Sequence, residues 1–205
     1  MSTTEPEGIT EKQQRVLDAA MEAFAERGYA GTSTAEIAKR AGVAEGTVFK
    51  TYKTKKDLLI AVVAPFFARV MAPFVIEEVL VIVREPHARF EDFLRALYKN
   101  RIEFIRSHER LVRIAVQELP FHPEVRALAK KTIAARVLPD VTAAVKRFQK
   151  MGEIREAPPA SIIRIVVGTF LTYVLARTVI LSELSWDDDA EIELMVATLA
   201  KGLKP

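Results

Sequence analysis

The chain has 205 residues, half of them hydrophobic, so it can bury the core of one large domain, or of one small and one larger domain, without covalent staples. It contains no cysteine, which excludes a disulfide framework, a thiol nucleophile and a cysteine-ligated metal, and which suits a cytoplasmic protein. The net charge of +3 is too small to name a partner, so the placement of the charges carries the information.

Residues 1–9 are polar and acidic, lack the apolar run of a signal peptide, and are read as a disordered arm. Thr10-x-x-Gln13 is a capping box that opens a first helix. Val16, Ala20, Ala23 and Phe24 recur along it at helical spacing, and Gly28 ends it. Ser33-x-x-Glu36 is a second capping box, opening the short helix TAEIAKRA that Gly42 stops. A third short helix runs from near Ala44 to about Tyr52. Thr54-x-x-Asp57 opens a long apolar helical region reaching roughly Val83, which Pro65 and Pro73 kink or break.

The segment REPHAR is a turn, with Pro86 at or near the next helix start. Phe90, Phe93, Leu94, Leu97, Tyr98, Ile102 and Ile105 mark one face of an amphipathic helix. Leu111 to Leu119 is a shorter helix, and PFHPE separates it from a long segment, Glu124 to Met151, interrupted by Pro139. After the loop MGEIREAPP comes a nearly all-apolar helix, about Ala160 to Ser182. SWDDDAE then caps a last helix, roughly Asp188 to Leu203, with its acids at the positive end of the helix dipole. No strand pattern appears, so the expected fold class is all-α, a compact N-terminal unit of three short helices followed by a larger bundle.

Two stretches, Leu58–Ile76 and Ile162–Leu181, are apolar enough to raise the question of a membrane. The first contains Arg69 and the second Arg164 and Arg177, and an arginine near the centre of a spanning helix costs roughly 2.5–3.5 kcal/mol. Buried helices of a soluble bundle are the expectation, with no membrane partner.

Lys39, Arg40, Lys50, Lys53, Lys55 and Lys56 face a single acid, Glu45, within Lys39–Lys56, the pattern of a phosphate-facing patch. The same stretch contains AGVAEGTVFKTY, in which two glycines interrupt a helical chain. Helix, tight turn, helix is a geometry in which the second helix enters a DNA major groove. Gly42 supplies the positive φ of the turn, and Ala41 and Val43 pack close. Gly46 lies in the first turn of the third helix, where a missing side chain and free N–H groups let a phosphate or base edge come near. Thr47, Lys50, Thr51 and Lys53 reach outward, while Val48 and Tyr52 face the core.

TSTAEIAKRAGVAEGTVFKTYKTKKDLL, preceded by AFAERGY, resembles the DNA-binding domain of the TetR/AcrR family of bacterial transcriptional regulators. The match falls on Gly28, Tyr29, Thr32, Ser33, Ile37, Ala38, Ala41, Gly42, Val43, Gly46, Thr47, Val48, Lys55, Leu58 and Leu59. The resemblance implies a helix-turn-helix DNA-binding domain at 10–54 and an effector-binding and dimerisation domain at 55–205. It implies DNA contacts from Ser33, Ala44, Glu45, Gly46, Thr47, Phe49, Lys50, Thr51 and Lys55, with Ser33, Thr47 and Lys55 at phosphate-binding positions. Phe49 stands where the family favours Tyr, Thr51 where it favours His or Tyr, and Ala44 where Ser is frequent; the lost N-cap bond is worth about 1 kcal/mol. Glu45 either reads a cytosine amine or helps to cap the helix.

A three-helix reader needs a homodimer to span two half-sites about 34–36 Å apart. A helix apolar nearly all round must pack on its own bundle and on something else. In the resembled family the last two helices pair with those of a second subunit, which points to Ile162, Val166, Phe170, Leu184, Leu194 and Leu199 as interface members. The family also implies a pocket for a small-molecule effector, here lined by Phe67, Met71, Phe74, Phe93, Leu97, Phe104 and Tyr173 and favouring a greasy ligand. Arg69, Arg101, Arg113, Arg136 and Arg177 are the cations that an anionic effector could meet.

The implied function is a repressor released from a palindromic double-stranded operator when a mainly apolar effector binds, with the helix beginning at Lys55 joining the two halves. No cofactor is implied, and no enzyme: His87, His108 and His122 have no metal spacing and no nucleophile motif stands out. The rival reading, a helical module binding a protein partner, does not account for the basic bias of Lys39–Lys56.

Overall fold

Every regular element among the described residues is a helix, as the sequence predicts. The computed structural model describes residues 10–65, 75–118, 120–124, 126–127, 130 and 137–205. The arm at 1–9 and Phe67, Arg69, Met71, Pro73, Phe74 and Arg136 lie outside the described residues.

Helix α1 spans Glu11–Gly31, opened by the expected box: the Gln13 N–H donates to Thr10 Oγ1 at 3.3 Å and the Thr10 N–H to Gln13 Oε1 at 2.8 Å. Gly28 ends the regular run of α1, as expected: with φ 69° and ψ 168° it breaks the helical backbone, and a short helical piece continues beyond it before Thr32. Helix α2, Thr34–Ala41, starts with the Glu36 N–H donating to Ser33 Oγ at 3.1 Å. The return bond of that box is absent, because the Glu36 carboxylate takes Arg27 at 3.1 Å and Arg40 at 2.7 Å instead. Helix α3 spans Glu45–Thr51 and α4 spans Lys55–Pro65. The box of Thr54 and Asp57 closes in both directions, each bond 3.0 Å.

Helix α5 is Val75–Arg84 and α6 is Phe90–Ser107, so Pro86 sits in the turn between them rather than at a helix start. Helices α7, Glu109–Glu118, and α8, Leu138–Lys150, follow, the latter with Pro139 in its first turn, where a missing N–H costs nothing. Helix α9, Pro159–Leu175, runs on into a π-helical turn, Ala176–Ile180, and α10 is Asp188–Gly202.

Phe24, Ile37, Val48, Leu58 and Leu59 are the buried centre of the N-terminal head, with α4 packed against α1. In the body, α6 packs on α5 and α10, and α8 on α5 and α9. Phe90 and Phe93 each meet Phe148 with ring centroids 5.3 Å apart. The buried Tyr98 hydroxyl donates to the Val166 carbonyl at 2.8 Å, tying α6 to α9.

Asp188 is a buried carboxylate at the start of α10 that accepts from Tyr173, from Arg177 Nε at 2.9 Å and from Arg106 Nε at 2.8 Å. Burial alone pushes this carboxyl up, but the bonds from Tyr173, Arg177 and Arg106 outweigh it and leave it below the ordinary aspartate value.

Candidate nucleic-acid interface

Gly42 adopts φ 66° and ψ 38°, the left-handed conformation that ends α2. Its N–H reaches the Ala38 and Lys39 carbonyls, and the Val43 N–H donates to Ala38 at 3.0 Å, the bond pattern of a Schellman turn. Val48 is buried and holds α3 against the head. Thr34 Oγ1 donates to Glu45 Oε1 at 2.8 Å, so Glu45 braces α2 against α3. Ala44 occupies the N-cap position of α3 with no side-chain bond, as its missing hydroxyl predicts.

The opposite side of α3 faces outward. Ala44, Glu45, Gly46, Phe49, Lys50 and Thr51 are exposed and Thr47 is half-buried. Phe49 is 44% exposed, on the side of α3 away from the head's core. A Cβ added at Gly46 would meet no heavy atom within 4 Å, so nothing in this chain's own packing requires a glycine there.

Ser33 Oγ accepts the cap bond of α2, which leaves the hydroxyl proton for an external acceptor. Three of the six cations of the basic patch are bound. Arg40 pairs with Glu26 and Glu36, and the hydrogen bonds to both raise its pKa. Lys56 pairs with Glu124 at 2.8 Å. Lys55, implied to hold a phosphate, donates to the Tyr29 carbonyl at 2.7 Å and the Thr32 carbonyl at 2.9 Å, with its ammonium 4.3 Å from the Tyr29 ring centre. It caps the C-terminal end of α1 and has one N–H left. Among the described residues Lys39, Lys50 and Lys53 make no ion pair and are exposed.

The sequence-expected interface residues fall on two faces. Ile162, Val166 and Leu199 are buried in the core, Phe170 is half-buried and stacks on Tyr98, and Leu184 and Leu194 are exposed. The outward apolar face also includes Ile165, Val167, Leu171, Leu175 and Ile180. A helix apolar on every side has no sequence signal for which face turns out. By length and composition Pro159–Ile180 could cross a membrane, and most of it is not buried within the chain.

Of the expected pocket residues, Phe93 and Tyr173 are buried, the first in the Phe90–Phe148 cluster and the second against Trp186 and Asp188. Leu97 and Phe104 are half-buried. Arg101 lies over Phe104, 5.3 Å from the ring centre, and burial lowers its guanidinium to about 10, against a partial counter-effect from Glu78 3.4 Å away.

A family model described as bacterial regulatory proteins, tetR family, matches residues 16–62. The fatty acid metabolism regulator protein of Bacillus subtilis is 46% identical over 50 residues, which are 24% of this chain and 26% of that protein. The chain therefore matches about a quarter of that relative's length. Two solved structures share the fold over nearly the whole chain. FadR from Bacillus subtilis in complex with stearoyl-CoA superposes with a TM-score of 0.68 at 24% identity, covering 93% of this chain and 98% of that one. AibR in complex with isovaleryl coenzyme A and operator DNA gives a TM-score of 0.68 at 22% identity, covering 92% and 97%. The sequence match falls on the residues that build the turn and the outward face of α3, so residues 16–62 carry the DNA-binding domain of the tetR family of bacterial regulatory proteins, and the bundle behind them shares the fold of the two solved regulators.

Proposed function

We propose that the protein is a homodimeric, sequence-specific DNA-binding repressor that leaves a palindromic operator when a small, mainly apolar effector binds its C-terminal bundle. The observation that carries this reading is Gly46. It is a helix-weakening residue in open space, on the same short helix as the outward Phe49, Lys50 and Thr51, and close approach of a DNA backbone gives it a purpose. We place the DNA-binding domain at 10–54 and the effector and dimerisation domain at 55–205. The outward leucines of α9 and α10 support pairing with a second copy, which would cover an apolar face that a soluble monomer would leave in water. A protein of this kind acts in the cytoplasm and needs no catalytic residue or cofactor.

The effector chemistry is a further part of the proposal. Leu97 and Phe104 offer an apolar wall, and the half-buried Arg101 offers a cation to an anionic end. An acyl-CoA has both parts, and the solved relatives carrying stearoyl-CoA and isovaleryl coenzyme A support that class.

The test is binding of the purified protein to duplexes from the DNA flanking its own gene, measured by fluorescence anisotropy across salt. The logarithm of the affinity should fall by about 0.9 per phosphate neutralised for each decade of salt. Affinity that stays flat with salt defeats the DNA reading. Stearoyl-CoA should release the duplex; tighter binding in its presence would replace the repressor reading with a co-repressor one.

A further inference from the structure

The head and the body are joined at a second place besides the start of α4. Gly28 turns the backbone out of helical register, and the N–H of the next residue, Tyr29, donates to Glu118 Oε1 at the end of α7, 3.1 Å away and 89 positions along the chain. Glu118 is only 7% exposed, and its other oxygen lies 3.2 Å from His122 Nε2. The His122 ring packs edge-on against the Tyr29 ring, with centroids 4.8 Å apart. Lys55 holds the Tyr29 carbonyl from α4. Tyr29 is thus gripped at its N–H, its ring and its carbonyl by three side chains, two from the end of α7 and the turn after it and one from α4.

A buried carboxylate is costly unless its bonds are well directed. Packing alone would hold α7 on α1, so an apolar residue at 118 would serve adhesion. A carboxylate serves direction, because its bond to one backbone N–H has a narrow range of geometry. The flanking ion pairs, Arg110–Glu22 at 3.2 Å and Lys56–Glu124 at 2.8 Å, are exposed, and such pairs contribute little. Helix α7 also packs on α6 and on the π-helical turn that ends α9. It therefore touches the head on one side and the proposed dimer helix on the other.

We infer that Glu118 is a positioning residue for the DNA-reading head, fixing the angle of α1, and with it α3, on the body through a connection parallel to α4. The inference rests on the proposed role of the head as a DNA reader, but the connection can be tested without DNA. A shift of α7 in the body moves Tyr29, whose backbone Glu118 holds. His122 keeps the carboxylate aimed at the N–H.

The natural absence of cysteine makes the test clean. Nitroxide labels at the exposed positions of Lys12→Cys, in the head, and Lys99→Cys, in the body, report the head–body distance by pulsed EPR, with labelled chains diluted into unlabelled protein. The parent should give one narrow distribution. Glu118→Ala, shown by circular dichroism to keep its helices, should broaden or split it, whereas Glu118→Gln, which retains an acceptor oxygen, should stay close to the parent. Affinity for a duplex bound by the parent should fall about tenfold in Glu118→Ala and recover in Glu118→Gln. A folded Glu118→Ala with the parental distribution overturns the inference. If that variant fails to fold, His122→Ala takes its place, and an unchanged distribution there overturns it equally. A parent that binds no duplex defeats the regulator reading alone, because the distances still decide the connection.

Discussion

Gly42 and Gly46 lie four residues apart, and only the first is required by the backbone. Gly42 sits at φ 66°, while Gly46 has a helical backbone and open space around it. Gly42→Ala should therefore lower stability by roughly 1–2 kcal/mol, the cost of a left-handed conformation for a residue with a Cβ. Gly46→Ala should raise stability by up to about 1 kcal/mol through helix propensity, and weaken duplex binding. Thermal melts and anisotropy on the same samples check the pair. A Gly46→Ala protein that binds DNA like the parent removes the argument made from that glycine.

Lys55 and Lys50 should separate in the same way. Lys55 holds two carbonyls at the end of α1, and each bond to a charged group is worth roughly 1.5–3 kcal/mol. Lys55→Ala should lower the melting temperature measurably, as well as weakening binding to every sequence. Lys50 is exposed and makes no ion pair among the described residues, so Lys50→Ala should leave stability within about 0.5 kcal/mol. If Lys50 meets a phosphate, its loss reduces the salt slope by about 1; if it reads a base, sequence preference changes instead.

Asp188 gives the fold an acid limit. Its carboxyl is held below the ordinary value of about 3.9, so its contribution is complete above that pH and is lost as pH falls through the depressed folded value. Chemical denaturation between pH 5 and pH 2 should show a loss of stability that Asp188→Asn lacks. The substitution itself should cost about 3–5 kcal/mol at neutral pH, since it leaves Arg106 and Arg177 without their shared countercharge. A variant with the parent's acid profile would show that other carboxylates set the limit.

The proposed dimer rests on outward leucines. Leu171 is 53% exposed and Leu194 64%, so Leu171→Asp and Leu194→Glu should leave the subunit fold intact and shift the mass seen by light scattering from dimer to monomer. Ile162, although on the same helix as Leu171, is 1% exposed, and Ile162→Asp should unfold the subunit instead. Unchanged mass for both leucine variants would move the interface elsewhere.

Features whose bonds close within one turn were legible in the sequence. The boxes at Thr10–Gln13 and Thr54–Asp57 and the left-handed stop at Gly42 need only neighbours three to five residues away. The box at Ser33–Glu36 was half legible, because Arg27 and Arg40 compete for the glutamate and win with charge. Lys55 illustrates the same limit at longer range. Its position in the motif suggests a phosphate, yet the carbonyls it caps lie 26 and 23 residues earlier.

The sequence by itself determined the all-helical class, the turn and outward face of the DNA-reading unit, and the family resemblance of residues 16–62. Each depends on local backbone chemistry or on a fixed spacing of residues. Only the tertiary structure decided which face of the apolar α9 turns outward, that Glu45 braces α2, and that Tyr29 is held by Glu118 and Lys55. A helix apolar on all sides carries no direction, and a carboxylate carries no label for the N–H it will meet. Both are settled when distant helices pack and buried polar groups must find partners.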